Sequence, residues 1–186
     1  NAAGMAPAQP YLQKIWSAKT KQDLATLFGT PGFASPLGAW VDADDKNSDA
    51  YILYVVQDGI GMPDRDYYLV DNERNVELRK KYIDYLAFVL GKAGYQDPGA
   101  TAQAVYGLEK QMASAMWDRA VSRNRELTYN KMSAAELDAL GTPGLVKTML
   151  EASGAGSIHE VVVSQIPPTA EELASANVSP EVAAAK

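Results

Sequence analysis

The residues best suited to chemistry crowd into Gln57 to Leu69, QDGIGMPDRDYYL. Asp64 and Asp66 form a carboxylate pair, and paired carboxylates can divide acid and base work between them. With Arg65 between them they read instead as a local ion-paired turn, since perturbed groups serve structure as often as catalysis. Gly59 and Gly61 begin a dinucleotide-type pattern, but Asp64 stands where its third glycine belongs. Pro63 and the carboxylates would repel a pyrophosphate, and no Gly-Lys-Ser/Thr phosphate loop occurs.

His159 to Val163, HEVVV, opens like a zinc-peptidase helix. That chemistry needs a second imidazole four residues on, so that two His side chains face one metal while the Glu activates water. Position 163 is Val and His159 is the chain's one histidine. The β-branched run predicts a strand. The segment from Asp42, DADDKNS, has the oxygen ligands of a calcium loop but Lys46 and Asn47 at its fifth and sixth positions, so it reads as a charged hairpin turn. No Gly-x-Ser-x-Gly elbow occurs. The Asn177-Val178-Ser179 glycosylation pattern is followed by Pro180 and carries no weight. From the residues alone, the chain holds no self-sufficient active site.

The elements that position these residues are mostly helical. Pro10 to Ser17 predicts a short amphipathic helix with Leu12, Ile15 and Trp16 on one face. Thr20 and Asp23 form a capping box for a second, stopped by Gly29 and Pro31. GAWVDA and AYILYVVQ predict two strands around the DDKNSD turn, the second apolar on both faces and hence covered on both sides. Asp71 is the expected cap of a long helix to about Ala93, ended by Gly94, with Leu78, Tyr82, Tyr85, Leu86 and Val89 as its stripe. A partner helix from about Pro98 to Arg119 carries Val105, Leu108, Met112 and Met116, and the short loop between them predicts an antiparallel hairpin. Three short helices start at Ser133 with Glu136, at Thr142-Pro143 and at Thr169 with Glu172. IHEVVVSQ lies between the last two as a strand.

With 186 residues, 47% hydrophobic and 22% charged, the chain can bury a real core. A net charge of −6 and a pI near 4.8 argue against nucleic acid, which selects basic patches. No apolar run approaches the length of a membrane span. Without cysteine, disulfides and thiolate chemistry are excluded. The start at Asn1, and a last helix barely begun at Ser179-Pro180, lead us to expect a piece of a longer polypeptide.

Gln57, Gly59, Gly61, Pro63, Asp64, Arg65, Asp66, Tyr67 and Tyr68 together resemble a signature of the neprilysin-like zinc metallopeptidases, the family of neprilysin, endothelin-converting enzyme and PepO-type bacterial peptidases. Ile60 and Met62 replace its leucines. The preceding hairpin resembles the family's Asp-x-Lys-Asn turn. Thr128, Tyr129, Asn130 and Met132 resemble its Thr-Tyr-Asn-x-Met segment, and VVVSQ a later strand.

The resemblance implies a mainly α fold with a small antiparallel β-hairpin, part of the helical lobe that caps a thermolysin-like domain. Residues 1–186 would be a single fragment of that N-terminal lobe, without the catalytic zinc domain. It implies a parent zinc metalloendopeptidase acting on peptides, secreted, periplasmic or membrane-anchored, with the zinc held by another part of the same polypeptide. No catalytic residue or metal ligand transfers to any position here, and the signature residues are expected to be structural. The competing expectation is a stand-alone helical interaction module without activity. A fragment cut from an interlocked fold should leave apolar surface bare.

Overall fold

The computed structural model describes residues 4–166. The helix start at Thr169, the Ser179-Pro180 segment and the Asn177 pattern lie outside them. In chain order the elements are α1 (Gln9–Ser17), α2 (Lys21–Gly29), β1 (Leu37–Asp44), β2 (Asn47–Gln57), α3 (Asp66–Leu69), α4 (Glu73–Ala93), α5 (Pro98–Ala115), α6 (Arg125–Thr128), β3 (Asn130–Ser133), α7 (Ala134–Ala139), α8 (Leu145–Ala152) and β4 (Glu160–Val163). They fall into two compact units, one built from α1 and Ile60–Met116, the other from Ala18–Gly59 and the described chain from Trp117 onward. The expected mainly helical fold is present, and the hairpin belongs to a larger, mixed sheet.

In the first unit α4 and α5 pack along each other as the expected helical hairpin. The cap of α4 is Asn72, not Asp71: the Asn72 side chain accepts from the Asn75 N–H at 2.8 Å. Asp71 is drawn instead to the Arg79 guanidinium at 2.7 Å. Gly94 ends α4 at φ +93°, a left-handed conformation that suits a residue without Cβ. Asp97 caps α5, with Pro98 as its first residue.

The apolar stripes are rotated from those expected. Tyr85 and Val89 on α4 and Leu108 on α5 are exposed. Helix α5 turns inward Ala102, Tyr106, Glu109 and Ala113, a 4-3-4 spacing on one face. Ala102 and Ala113 are fully buried; their small side chains let the neighbouring elements come close, and closeness rather than hydrophobic bulk selects this face. The helix ends at Ala115, short of Arg119, because Met116 is extended.

The second unit is organised by a four-stranded sheet of order β1-β2-β4-β3. β1 and β2 form the antiparallel hairpin, β4 runs parallel to β2, and β3 is antiparallel to β4. Leu53, Val55, Val161 and Val163 face one side, against Leu137 of α7 and Val146 and Leu150 of α8. Ile52, Tyr54 and Val162 face the other, with Tyr129. β2 is therefore covered on both sides from Ile52 to Val55, but Tyr51, near the hairpin tip, is 81% exposed. Burying Val161 and Val162 completely contributes about 1.5–3 kcal/mol each.

Helix α2 begins with the predicted capping box, Thr20 and Asp23 satisfying each other's backbone N–H groups. At its other end Gly29 lies so close to α8 that a Cβ would overlap the Met149 carbonyl. The Ser133–Glu136 box starts α7 as expected. Helix α8 does not start at Thr142-Pro143. Its cap is Gly144 at φ +88°, and the Asp138 carboxylate accepts from the N–H groups of Gly144 at 2.6 Å and Lys147 at 3.0 Å. Those bonds hold the Asp138 carboxyl below its usual range.

Candidate functional site

The signature stretch spans the change from one unit to the other. Gln57 is the last residue of β2, in register with Leu37, and Gly59 takes φ +88° to turn the chain out of the sheet. From Ile60 on, the stretch is part of the first unit. Gly61 sits where any Cβ would overlap the Tyr82 hydroxyl. Pro63 is exposed at the turn. Asp64 accepts the Asp66 N–H at 2.8 Å, which starts α3.

Arg65 and Asp66 approach only to 4.0 Å, and the Arg65 Nε reaches the Ala113 carbonyl at 3.4 Å. The firmer cation at this corner is Arg79. Its Nε donates to the Tyr67 carbonyl at 2.8 Å, and its terminal nitrogens hold Asp71 and the Val70 carbonyl. Arg79 thus ties α3 and the residues that follow it to α4.

Beneath the corner lies a polar core that the sequence did not disclose. The Tyr68 hydroxyl accepts the Met62 N–H at 2.9 Å and donates to Glu109 Oε2 at 2.8 Å. The Tyr82 hydroxyl donates to the same carboxylate at 2.8–2.9 Å. Tyr68 is fully buried and stacks on Tyr106 at 5.7 Å. Burial first, then the Glu109 carboxylate, pushes the Tyr68 phenol up to about 12, and the same causes push Tyr82 up further. Both phenols keep their protons at neutral pH, so the arrangement donates hydrogen bonds and does not shuttle protons. It locks the corner to α4 and α5. Glu109 was missed because its neighbours Leu108 and Met112 drew the apolar stripe one position aside. The available signal was the pair of small residues, Ala102 and Ala113, on its face.

The second signature segment converges on the hairpin within the second unit. Tyr129 donates to Asp44 Oδ1 at 2.6 Å, Lys131 Nζ lies 3.3 Å from Oδ2, and the Lys46 N–H donates to Oδ1 at 2.9 Å. Asp44 is 3% exposed. Hydrogen bonds from Tyr129 and Lys46 hold its carboxyl below the usual range, while Asp44 raises the Tyr129 phenol to about 12. Lys46 Nζ sits 4.4 Å from the Tyr129 ring centroid. Asn130 donates to the Leu127 carbonyl at 2.7 Å and to the Val163 carbonyl at 2.9 Å, and Thr128 to the Asn124 carbonyl at 3.1 Å. The Asp-x-Lys-Asn turn and the Thr-Tyr-Asn segment are two halves of one joint.

His159 is exposed just ahead of β4, and its carbonyl accepts the Ala134 N–H at 2.9 Å. Among the described residues no group of three His, Cys, Asp or Glu side chains is placed to hold a metal ion. No helix among them is long and apolar enough to cross a membrane. An apolar cleft of about 380 Å³ in the second unit is walled by Phe28, Phe33, Leu37, Val146 and Met149, with Asp58 as its charged member. It can hold an apolar group but offers no nucleophile aligned with a base.

A model described as peptidase family M13 matches residues 1–177. Endothelin-converting enzyme 1 of Cavia porcellus is 32% identical over 128 residues, which is 67% of this chain and 17% of that protein. The zinc metalloprotease Zmp1 of Mycobacterium tuberculosis, in complex with an inhibitor, matches with a TM-score of 0.81 at 30% identity, over 88% of this chain and 26% of that one. PepO from Lactobacillus rhamnosis HN001 matches with a TM-score of 0.71 at 15% identity over 100% of this chain and 30% of that one, a likeness of fold. This chain spans less than a third of the length of each.

Proposed function

This chain belongs to peptidase family M13, and we propose that it is the non-catalytic N-terminal part of a zinc metalloendopeptidase that hydrolyses peptides. On this reading residues 1–186 form one fragment of the helical lobe. The lobe walls the substrate cavity, and the zinc-bearing catalytic domain is supplied by the same polypeptide outside the segment. The parent works outside the cytoplasm, as a secreted, periplasmic or membrane-anchored enzyme.

The observation that carries this reading is the match over residues 1–177, supported by joints built from signature residues at Tyr68 and at Tyr129. Both are saturated structural contacts, which suits a scaffold. The described residues offer no ligand set that fits zinc, so no step of the hydrolysis is assigned to them.

The test compares the full product of the gene with residues 1–186, for bound zinc and for cleavage of a mixed peptide library. We expect the full product to hold zinc and cleave peptides, with cleavage abolished by a chelator, and the segment to do neither. A gene that stops just after Lys186, with no His-Glu-x-x-His downstream, would sink the peptidase reading in favour of a stand-alone interaction module. Metal-dependent cleavage by the segment itself would refute its assignment as silent.

A further inference from the structure

β1 is the outer strand of the sheet, and among the described residues no strand pairs with its free edge. Half of its peptide groups bond to β2 and the alternate half point outward. Of the outward N–H groups, those of Leu37 and Ala43 are taken by the Ser35 and Asp42 side chains, and those of Ala39 and Val41 stay open. Native edges are commonly blunted by Lys, Pro, a short strand or a bulge. β1 runs eight residues without Lys or Pro, and its register slips only at Ala43/Asp44, at the hairpin end.

The flanking side chains are bare on both faces. Trp40, stacked on Tyr54, is 46% exposed on one face. Val41, at 59%, lies on the other face with Tyr51 diagonally across the hairpin. Residues 39–43 are exposed without a break. An edge of unpaired backbone selects an extended segment, and apolar flanks select apolar side chains within it.

The relatives supply such chain in quantity: this segment covers 17% of the endothelin-converting enzyme and 26% of Zmp1. A second copy is disfavoured by charge, because self-pairing of two β1 edges would place two exposed Asp42 carboxylates on one short seam. We propose that β1 is a docking edge for an extended segment of the remaining polypeptide. That segment adds as a fifth strand, with one apolar side chain beside Trp40 and another between Val41 and Tyr51. The inference rests on the reading of this chain as part of a longer peptidase.

Residue-resolved hydrogen–deuterium exchange on the full gene product tests it. We expect the outward amides of Ala39 and Val41 to exchange at least roughly tenfold slower than those of an unstructured peptide. Val41→Lys, harmless on an open edge, should lower the melting temperature of the full product. Free exchange at these amides, or an unchanged melting temperature, overturns the proposal. Protection that grows with protein concentration, together with dimers in sedimentation, also overturns it and assigns the edge to a second copy. A long product that cleaves peptides but leaves the edge open removes this inference alone, whereas a product ending at residue 186 removes both.

Discussion

Tyr129 donates its hydroxyl at 2.6 Å to Asp44, a carboxylate 85 positions earlier in the chain. The bond joins the tip of the β1–β2 hairpin to the segment that leads into β3. Removing the hydroxyl leaves a buried carboxylate with one donor fewer while the ring and its packing stay. Tyr129→Phe should therefore lower the melting temperature by roughly 2–4 °C, followed by circular dichroism. An unchanged melting temperature would mean that Lys46 and Lys131 suffice to satisfy Asp44.

Glu109 governs two phenols at once. A spectrophotometric alkaline titration should show tyrosines that ionise at about 12 or above, later than the ordinary phenols. Glu109→Gln removes the carboxylate charge but keeps the burial, so Tyr68 and Tyr82 should move down without reaching the ordinary value, while Tyr129, raised by Asp44, should stay. The sign for stability follows. A phenol raised in the fold contributes fully below the unfolded value of 10.0 and loses its contribution as pH rises through about 12. The fold should weaken across that alkaline window, and less so in the variant.

Gly61 and Gly107 should respond to alanine with opposite signs. A Cβ at residue 61 overlaps the Tyr82 hydroxyl, itself held by Glu109, so the lock must shift. Gly61→Ala should cost about 1–3 kcal/mol. Residue 107 lies inside α5 with nothing within 4 Å of a new Cβ. Gly107→Ala should stabilise by about 0.5–1 kcal/mol. A urea midpoint that rose for Gly61→Ala would contradict the first assignment, and one that fell for Gly107→Ala the second.

The start of α4 separates two adjacent polar residues. Asn72→Ala removes the cap and should cost about 0.5–2 kcal/mol. Asp71→Ala removes an exposed partner of Arg79, whose other two contacts are backbone carbonyls, and should cost less. The reverse order in thermal melts would restore Asp71 as the cap.

Much of the fold was legible because local chemistry decided it. The Thr20–Asp23 and Ser133–Glu136 boxes, the Gly94 stop and the β-branched run at Val161 to Val163 act within a few residues of themselves. Where a nearby group competed, local chemistry did not decide the outcome. Asp71 had the right type for a cap but lay within reach of Arg79. Asp138, from the end of α7, set the start of α8 at Gly144. Of the site residues, the Gln57–Tyr68 and Thr128–Asn130 segments were recognisable, but not the partners they would meet.

The sequence by itself determined the helical character, the β1–β2 hairpin and the resemblance to a peptidase family, since each rests on residue types at short, fixed spacings. It also excluded a His-based zinc site within the chain, because the count of histidines is a property of composition. Only the tertiary structure decided that Glu109 faces Tyr68 and Tyr82, that Asp44 is buried under Tyr129, and that β4 runs parallel beside β2. Those relations join residues tens of positions apart through side-chain geometry and close backbone approach. No local spacing encodes which buried carboxylate will find which phenol.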